Sequence, residues 1–174
     1  KYNIKVGWSI ITSTLENKNL ILEELKFIQN KFENENHFYD SFKKIVNKFY
    51  DLNESQKYRE EIKFYSKKER EFRYIRDNLC SEEELKKVIN SFDFKIGNLF
   101  INKQELKKII LLNHNICNHT HNHFTNFNNL NADEIKNEIK LAKDILKNYN
   151  INNNYFTVPF GFNNKYIKEI CYDL

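Results

Sequence analysis

The second half of the chain alternates helix-like and strand-like patterns, and this alternation restricts the fold more than any other feature. After a possible short strand at 96–101, the patterns predict a helix at 103–112, a strand at 114–118, a helix from Asn131, a strand at 155–159 and a last helix with Tyr166, Ile167 and Ile170. The helix from Asn131 has an apolar stripe of Ile135, Ile139, Ala142, Leu146 and Tyr149. Helices that alternate with strands are typical of a parallel sheet covered by helices. We therefore predict an α/β fold.

The first half combines one strand with a long helical block. Residues 4–11 alternate large apolar residues with small or polar ones, which predicts a strand. Residues 16–92 carry apolar residues at helical spacing instead, in stripes such as Ile21, Leu25, Ile28 and Phe32, then Phe38, Phe42, Ile45 and Phe49. Ser81 and Glu84 match a capping box, as do Asn131 and Glu134 in the second half. We predict that strands 4–11, 114–118 and 155–159 lie parallel in one sheet.

Composition narrows the functional classes. The net charge is +4, and lysines and glutamates are interleaved, so no basic stripe indicates nucleic-acid binding. The odd count of three cysteines, Cys80, Cys117 and Cys171, argues against a disulfide framework and favours the cytoplasm over the cell envelope. No apolar run is long enough to span a membrane. The chain starts at Lys1 inside a strand-like pattern, so we interpret it as part of a longer protein.

Three of the five histidines lie within residues 119–123, directly after the predicted strand 114–118. If the segment stays extended, His119, His121 and His123 share one face. If it turns helical, His119 and His123 meet at i and i+4 while His121 points elsewhere. Either geometry presents imidazoles to a divalent metal, and a pair would need a further ligand such as a carboxylate. The alternative is a polar, asparagine-rich loop that holds histidines incidentally.

These residues resemble motifs of the polysaccharide deacetylase family, the NodB-like carbohydrate esterases. The stretch from Cys117 to His123 is similar to the family motif His-[Ser/Thr]-x-x-His, and Leu130 to Ile135 is similar to the start of the helix that follows it. Thr157-Val158-Pro159-Phe160-Gly161 occupies the slot of Arg-x-Pro-Tyr-Gly. Residues 165–172 and 4–11 resemble the family's last helix and second strand.

The resemblance implies a fold and a domain organisation. The family folds as a deformed (β/α) barrel with parallel strands, so the expected fold here is part of such a barrel. Residues 1–15 and 93–174 would form the barrel portion. Residues 16–92 would be a mostly helical insertion, of a kind that some bacterial members carry.

The resemblance also implies a site. His119 and His123 are expected to bind Zn²⁺ or another divalent metal. Pro159, Phe160 and Gly161 are expected to face the oxyanion and substrate, with the backbone N–H of Phe160 as the donor. The family's catalytic-base and metal-binding Asp residues are expected before Lys1, and its general-acid His after Leu174, so no catalytic acid or base is expected in this chain. The chain departs from the motifs at Thr157, where the family has Arg, at Phe160, where it has Tyr, and at Cys117, where it has Gly.

The implied function is metal-dependent hydrolysis of an acetyl group, N-linked or O-linked, on a carbohydrate, with an N-acetylated glycan as the expected substrate and an amide carbon–nitrogen bond as the bond broken. Two other classes remain open. The chain could be a metal- or sugar-binding module without catalysis, or a helical protein whose residues 16–92 bind a partner.

Overall fold

The chain divides into two compact units. In the computed structural model the described residues are 4–49, 65–125, 127–152, 155–161 and 165–173. One unit is Ile21–Leu99, and the other combines Lys1–Leu20 with Phe100–Leu174. These bounds lie close to those of the predicted helical block, whose origin as an insertion stays a prediction.

The unit Ile21–Leu99 is helical in its described part. Its helices are α1 (Ile21–Gln29), α2 (Glu35–Val46), α3 (Lys67–Tyr74), which continues as a π-helical turn to Leu79, and α4 (Glu82–Asn90). Ser81 and Glu84 form the predicted capping box at the start of α4, each side chain accepting a hydrogen bond from the other residue's backbone N–H. The first part of the predicted helical stretch 54–79 lies outside the described residues.

An aromatic cluster holds this unit together. The ring of Phe38 is fully buried, and its aromatic neighbours are Phe32, Tyr39, Phe42, Phe72 and Phe92. The predicted stripe of α2 therefore contributes Phe38 and Phe42 to this core, but the prediction was wrong at its last member. Because α2 ends at Val46, Phe49 lies beyond the helix and its side chain is half exposed.

A parallel pair of strands lies in the other unit. Strand β1 (Gly7–Ile10) pairs with β2 (Asn115–Asn118), in a register that sets Gly7 opposite Asn115 and Ile10 opposite Asn118. A 3-10 turn, Thr12–Glu16, follows β1. The helices of this unit are α5 (Lys103–Leu111), α6 (Ala132–Lys147) and α7 (Lys165–Asp173). The predicted capping box of Asn131 and Glu134 opens α6.

The predicted sheet is confirmed for the parallel pairing of β1 with β2, and the third predicted strand is shorter than expected. The segment 155–159 contributes one parallel bridge, between Phe156 and Asn118, and then turns into a 3-10 helix at Pro159–Gly161. Pro159 has no N–H to donate, which ends the ladder there. The stretch 96–101 forms no strand. The described residues therefore show an α/β arrangement with parallel strands, and no closed barrel is present among them.

Two apolar clusters support these strands. Ile10 and Ile116 pack with α5 through Leu106 and with the end of α6 through Leu146. Ile135 and Ile139 of α6 pack with a second group, Phe127, Ile167 and Ile170. Both α6 and α7 therefore bury the stripe that their sequences predict.

Cys80, Cys117 and Cys171 are free thiols, and burial raises the pKa of Cys80 to about 11, which keeps this thiol protonated at neutral pH. No helix in the described ranges has the length and apolar character needed to cross a bilayer.

The aromatic cluster predicts the effect of two phenylalanine truncations. Phe38→Ala should lower the free energy of unfolding by about 3–5 kcal/mol, because it leaves a cavity in a fully buried cluster. Phe49→Ala removes a half-exposed ring and should cost less than about 1 kcal/mol. Urea unfolding followed by circular dichroism measures both. Equal losses would show that the ring of Phe38 is not central to this core.

Candidate metal centre

The candidate site begins where β2 ends, at Asn118. Its backbone N–H donates to the carbonyl of Tyr155 at 2.8 Å, and its carbonyl accepts from the N–H of Thr157 at 2.9 Å. Its side-chain Nδ2 donates to the carbonyl of Ile139 in α6 at 2.8 Å, and its Oδ1 accepts from the N–H of Thr120 at 2.9 Å. One buried residue therefore ties the end of β2 to the segment 155–157, to α6 and to the next turn of the chain.

Residues 119–123 form a tight turn rather than either of the regular geometries that the sequence allows. Thr120 has a φ of 67° and His123 a φ of 53°, both in the left-handed region, so the segment is neither an extended strand nor a helical turn. Both the extended and the helical alternative for this segment were therefore wrong. The side chain of Asn118 caps the N–H of Thr120, and the Thr120 hydroxyl accepts from the N–H of His123 at 3.1 Å, so local side-chain bonds stabilise the turn.

The turn brings two imidazoles together. The ring centroids of His119 and His123 are 4.7 Å apart. Nδ1 of His119 lies 2.7 Å from the carbonyl oxygen of Thr157. Because a carbonyl oxygen only accepts, Nδ1 carries the proton at this contact, and Nε2 of the neutral ring keeps its lone pair. This is the tautomer that a metal-binding histidine needs.

His121 has different partners. Its Nδ1 lies 2.9 Å from the hydroxyl of Thr12, and its carbonyl accepts from the N–H of Ser13 at 3.1 Å. The turn after β1 thus holds His121, while the rings of His119 and His123 lie against each other. His119 and His123 therefore form a pair, and His121 lies apart from them instead of sharing one face with both.

The aromatic residue of the motif at 157–161, Phe160, lies beside the pair His119 and His123. The ring centroid of Phe160 is 4.7 Å from that of His123. Phe160 and Gly161 have φ values of 55° and 66°, and Pro159 before them is buried. Thr157, which stands in the arginine slot, receives a hydrogen bond from the hydroxyl of Ser9 at 3.0 Å. The motif at 117–123 and the motif at 157–161 therefore meet where β2 ends beside the segment 155–157.

The donor chemistry of the pair fits a zinc ion. Two neutral imidazoles, one with its tautomer fixed by a carbonyl, are donors that Zn²⁺ accepts. Within the described residues no group of three His, Cys, Asp or Glu side chains is arranged to hold a metal. His119 and His123 by themselves could therefore supply only part of a metal's coordination.

Sequence reasoning missed one residue of this region, Glu138 of α6. Its carboxylate is buried and accepts hydrogen bonds from the backbone N–H groups of His121 and Asn122 and from the Asn122 side chain. A signal was present, because Glu138 falls on the same helical stripe as Ile135, Ile139 and other buried residues of α6. A charged residue on an apolar stripe marks a buried polar contact.

Comparison with known proteins gives one family match. A family model described as polysaccharide deacetylase matches residues 85–174, which is just over half of the chain. No curated protein and no solved structure matches.

The role of Asn118 predicts a stability difference between two asparagines of the same strand. Asn118→Ala should lower the free energy of unfolding by about 2–4 kcal/mol, because it leaves the N–H of Thr120 and the carbonyl of Ile139 without this partner. Asn115→Ala, at the exposed start of β2, should change it by less than about 0.5 kcal/mol. Chemical unfolding measures both, and a loss for Asn118→Ala as small as that of the control would contradict the assignment.

Proposed function

The chain belongs to the polysaccharide deacetylase family, and from this premise we propose that it forms the metal-binding and oxyanion-facing part of a hydrolase that removes acetyl groups from an N-acetylated carbohydrate. The observation that carries the proposal is the contact between the rings of His119 and His123 beside Phe160. These residues come from the two motifs that resemble those of the family, and the fold places them side by side.

His119 and His123 would hold the divalent metal, with zinc as the first candidate. The carbonyl of Thr157 keeps the proton of His119 on Nδ1, which leaves Nε2 as the donor atom. When bound, the metal supplies Lewis-acid polarisation of the acetyl carbonyl and a lowered pKa of water. An acidic ligand before Lys1 would complete the coordination in the family pattern.

The turn Pro159–Gly161 would serve the oxyanion. Attack of water on the acetamide carbonyl places a negative charge on its oxygen, and breakage of the carbon–nitrogen bond then gives acetate and a free amine. A backbone N–H donor stabilises such a charge. The N–H of Phe160 takes this role in the proposal. A backbone donor does not need a phenol, so a phenylalanine in the tyrosine slot is compatible with the function.

Proton transfer would need groups from outside this chain. The family pattern expects a base carboxylate before Lys1 and an acid histidine after Leu174. Thr157 in place of the family's arginine cannot supply a positive charge to orient such a base. The proposal for this chain is therefore the metal-binding and oxyanion half of the site.

Zinc affinity of single histidine variants tests the proposed ligands. His119→Ala and His123→Ala should weaken zinc binding at least about tenfold, because each removes a ligand, whereas His121→Ala should change it much less. His37→Ala is the matched control, because His37 lies at the start of α2 and bonds to Asn34 there. Competition with a chromophoric chelator measures the dissociation constants. If His121→Ala loses zinc as fully as the other two, a three-histidine site replaces this one.

Acetate release tests the reaction. A protein that carries this chain together with the expected acidic and histidine motifs should release acetate from an N-acetylated chito-oligosaccharide. His119→Ala or His123→Ala should lower the rate at least about a hundredfold, because the metal's contribution is lost. Zinc binding through this pair without acetate release would instead favour a non-catalytic metal- or sugar-binding module.

A further inference from the structure

A buried carboxylate lies directly behind the histidine turn. Glu138 of α6 is only 7% exposed, and it sits on the face of the helix that carries Ile135 and Ile139. A carboxylate on an apolar face is costly unless hydrogen bonds replace its lost hydration. The hydrogen bonds that Glu138 makes must therefore compensate for its burial.

Both carboxylate oxygens accept from the turn. Oε2 accepts from the backbone N–H of Asn122 at 2.7 Å and from that of His121 at 3.2 Å, and Oε1 accepts from Nδ2 of Asn122 at 2.8 Å. Bonds from N–H groups to a carboxylate are stronger than bonds between neutral groups. His121 and Asn122 are the residues of the turn that lie between Thr120 and His123, both of which have a positive φ.

The turn needs such support because its conformation is strained. A β-branched residue such as Thr120 at a φ of 67° is rare, and such a conformation persists only where the surroundings hold it. The distance between the two imidazoles depends on this conformation, because it is the turn that folds His123 back onto His119.

We propose that Glu138 is the positioning residue of the histidine pair: its hydrogen bonds to His121 and Asn122 hold the turn in the conformation that sets His119 against His123. The metal part of this inference rests on the proposed function, since the pair has to be pre-positioned only if it binds a metal. The structural part does not depend on it.

Three variants separate positioning from general stability. Glu138→Ala removes all three bonds. Glu138→Gln keeps an oxygen for the two backbone N–H groups, and its amide can pair with the amide of Asn122 once that group flips. Glu134→Ala is the matched control on the same helix, because it removes the exposed capping-box bond to the N–H of Asn131 and leaves the turn untouched.

The first readout does not involve a metal. Nuclear Overhauser effects between the ring protons of His119 and His123, and slow exchange of the His121 and Asn122 amide protons, report the turn directly. We expect both signals to be lost in Glu138→Ala and kept in Glu138→Gln and Glu134→Ala. A folded Glu138→Ala protein that keeps both signals overturns the proposal.

The second readout is metal binding. Glu138→Ala should weaken zinc binding about tenfold, as is typical when a group that orients ligands is removed, while Glu138→Gln should stay close to the unaltered protein. The visible absorption of bound Co²⁺ should change in Glu138→Ala and stay unchanged in Glu134→Ala. If Glu134→Ala weakens zinc binding as much as Glu138→Ala does, the effect is one of helix stability and the proposal fails.

The two readouts distinguish the failure of this inference from that of the proposed function. If no zinc binds to the unaltered protein but the ring contact depends on Glu138, the proposed function fails and the positioning role stands. If zinc binds through His119 and His123 but Glu138→Ala changes neither readout, the positioning role fails and the proposed function stands. Should Glu138→Ala not fold, Glu138→Met takes its place, because it removes all three bonds and fills a similar volume in the buried position. Unchanged ring contact and zinc affinity in that variant would then overturn the proposal.

Discussion

The hydrogen bonds of Asn118 are the interaction on which the rest of the site depends. This residue ends β2, pairs with the segment at Phe156, binds the backbone of α6 at Ile139 and caps the turn that starts at Thr120. It is buried, so each of these groups would lose hydration without a protein partner. A single polar side chain thus joins the end of β2 to α6 and to the start of the histidine turn.

Buried polar groups, rather than apolar packing, determine the conformation of the site. Asn118 holds the histidine turn from β2, Glu138 holds it from α6, and the turn after β1 holds it through Thr12 and Ser13. Buried polar networks of this kind cost stability if a partner is missing, so they accept few alternative arrangements. This explains how a turn with a strained Thr120 can keep two imidazoles in contact.

The helical unit follows a different principle. Its core packs aromatic rings around Phe38 together with aliphatic side chains of the same unit, so it depends on hydrophobic burial and on ring packing. The stripes of the sequence already predict most of this core, because helical periodicity is local and needs no knowledge of distant partners. Phe49 was the exception, since the point where α2 ends is not set by the apolar pattern alone.

The sequence by itself determined the local elements and the motif chemistry: the alternation of helices and strands, the capping boxes at Ser81 and Asn131, the parallel pairing of β1 with β2 and the family membership. Only the tertiary structure decided how the histidine segment folds. An extended strand and a helical turn were both consistent with the spacing of the histidines, and the segment adopts neither. Long-range hydrogen bonds from Glu138 and Thr12 select a conformation that local propensity disfavours. Contacts between residues far apart in the chain leave no periodic signal in the sequence. For this reason the sequence predicts the pair His119 and His123 but not the conformation of the turn that joins them.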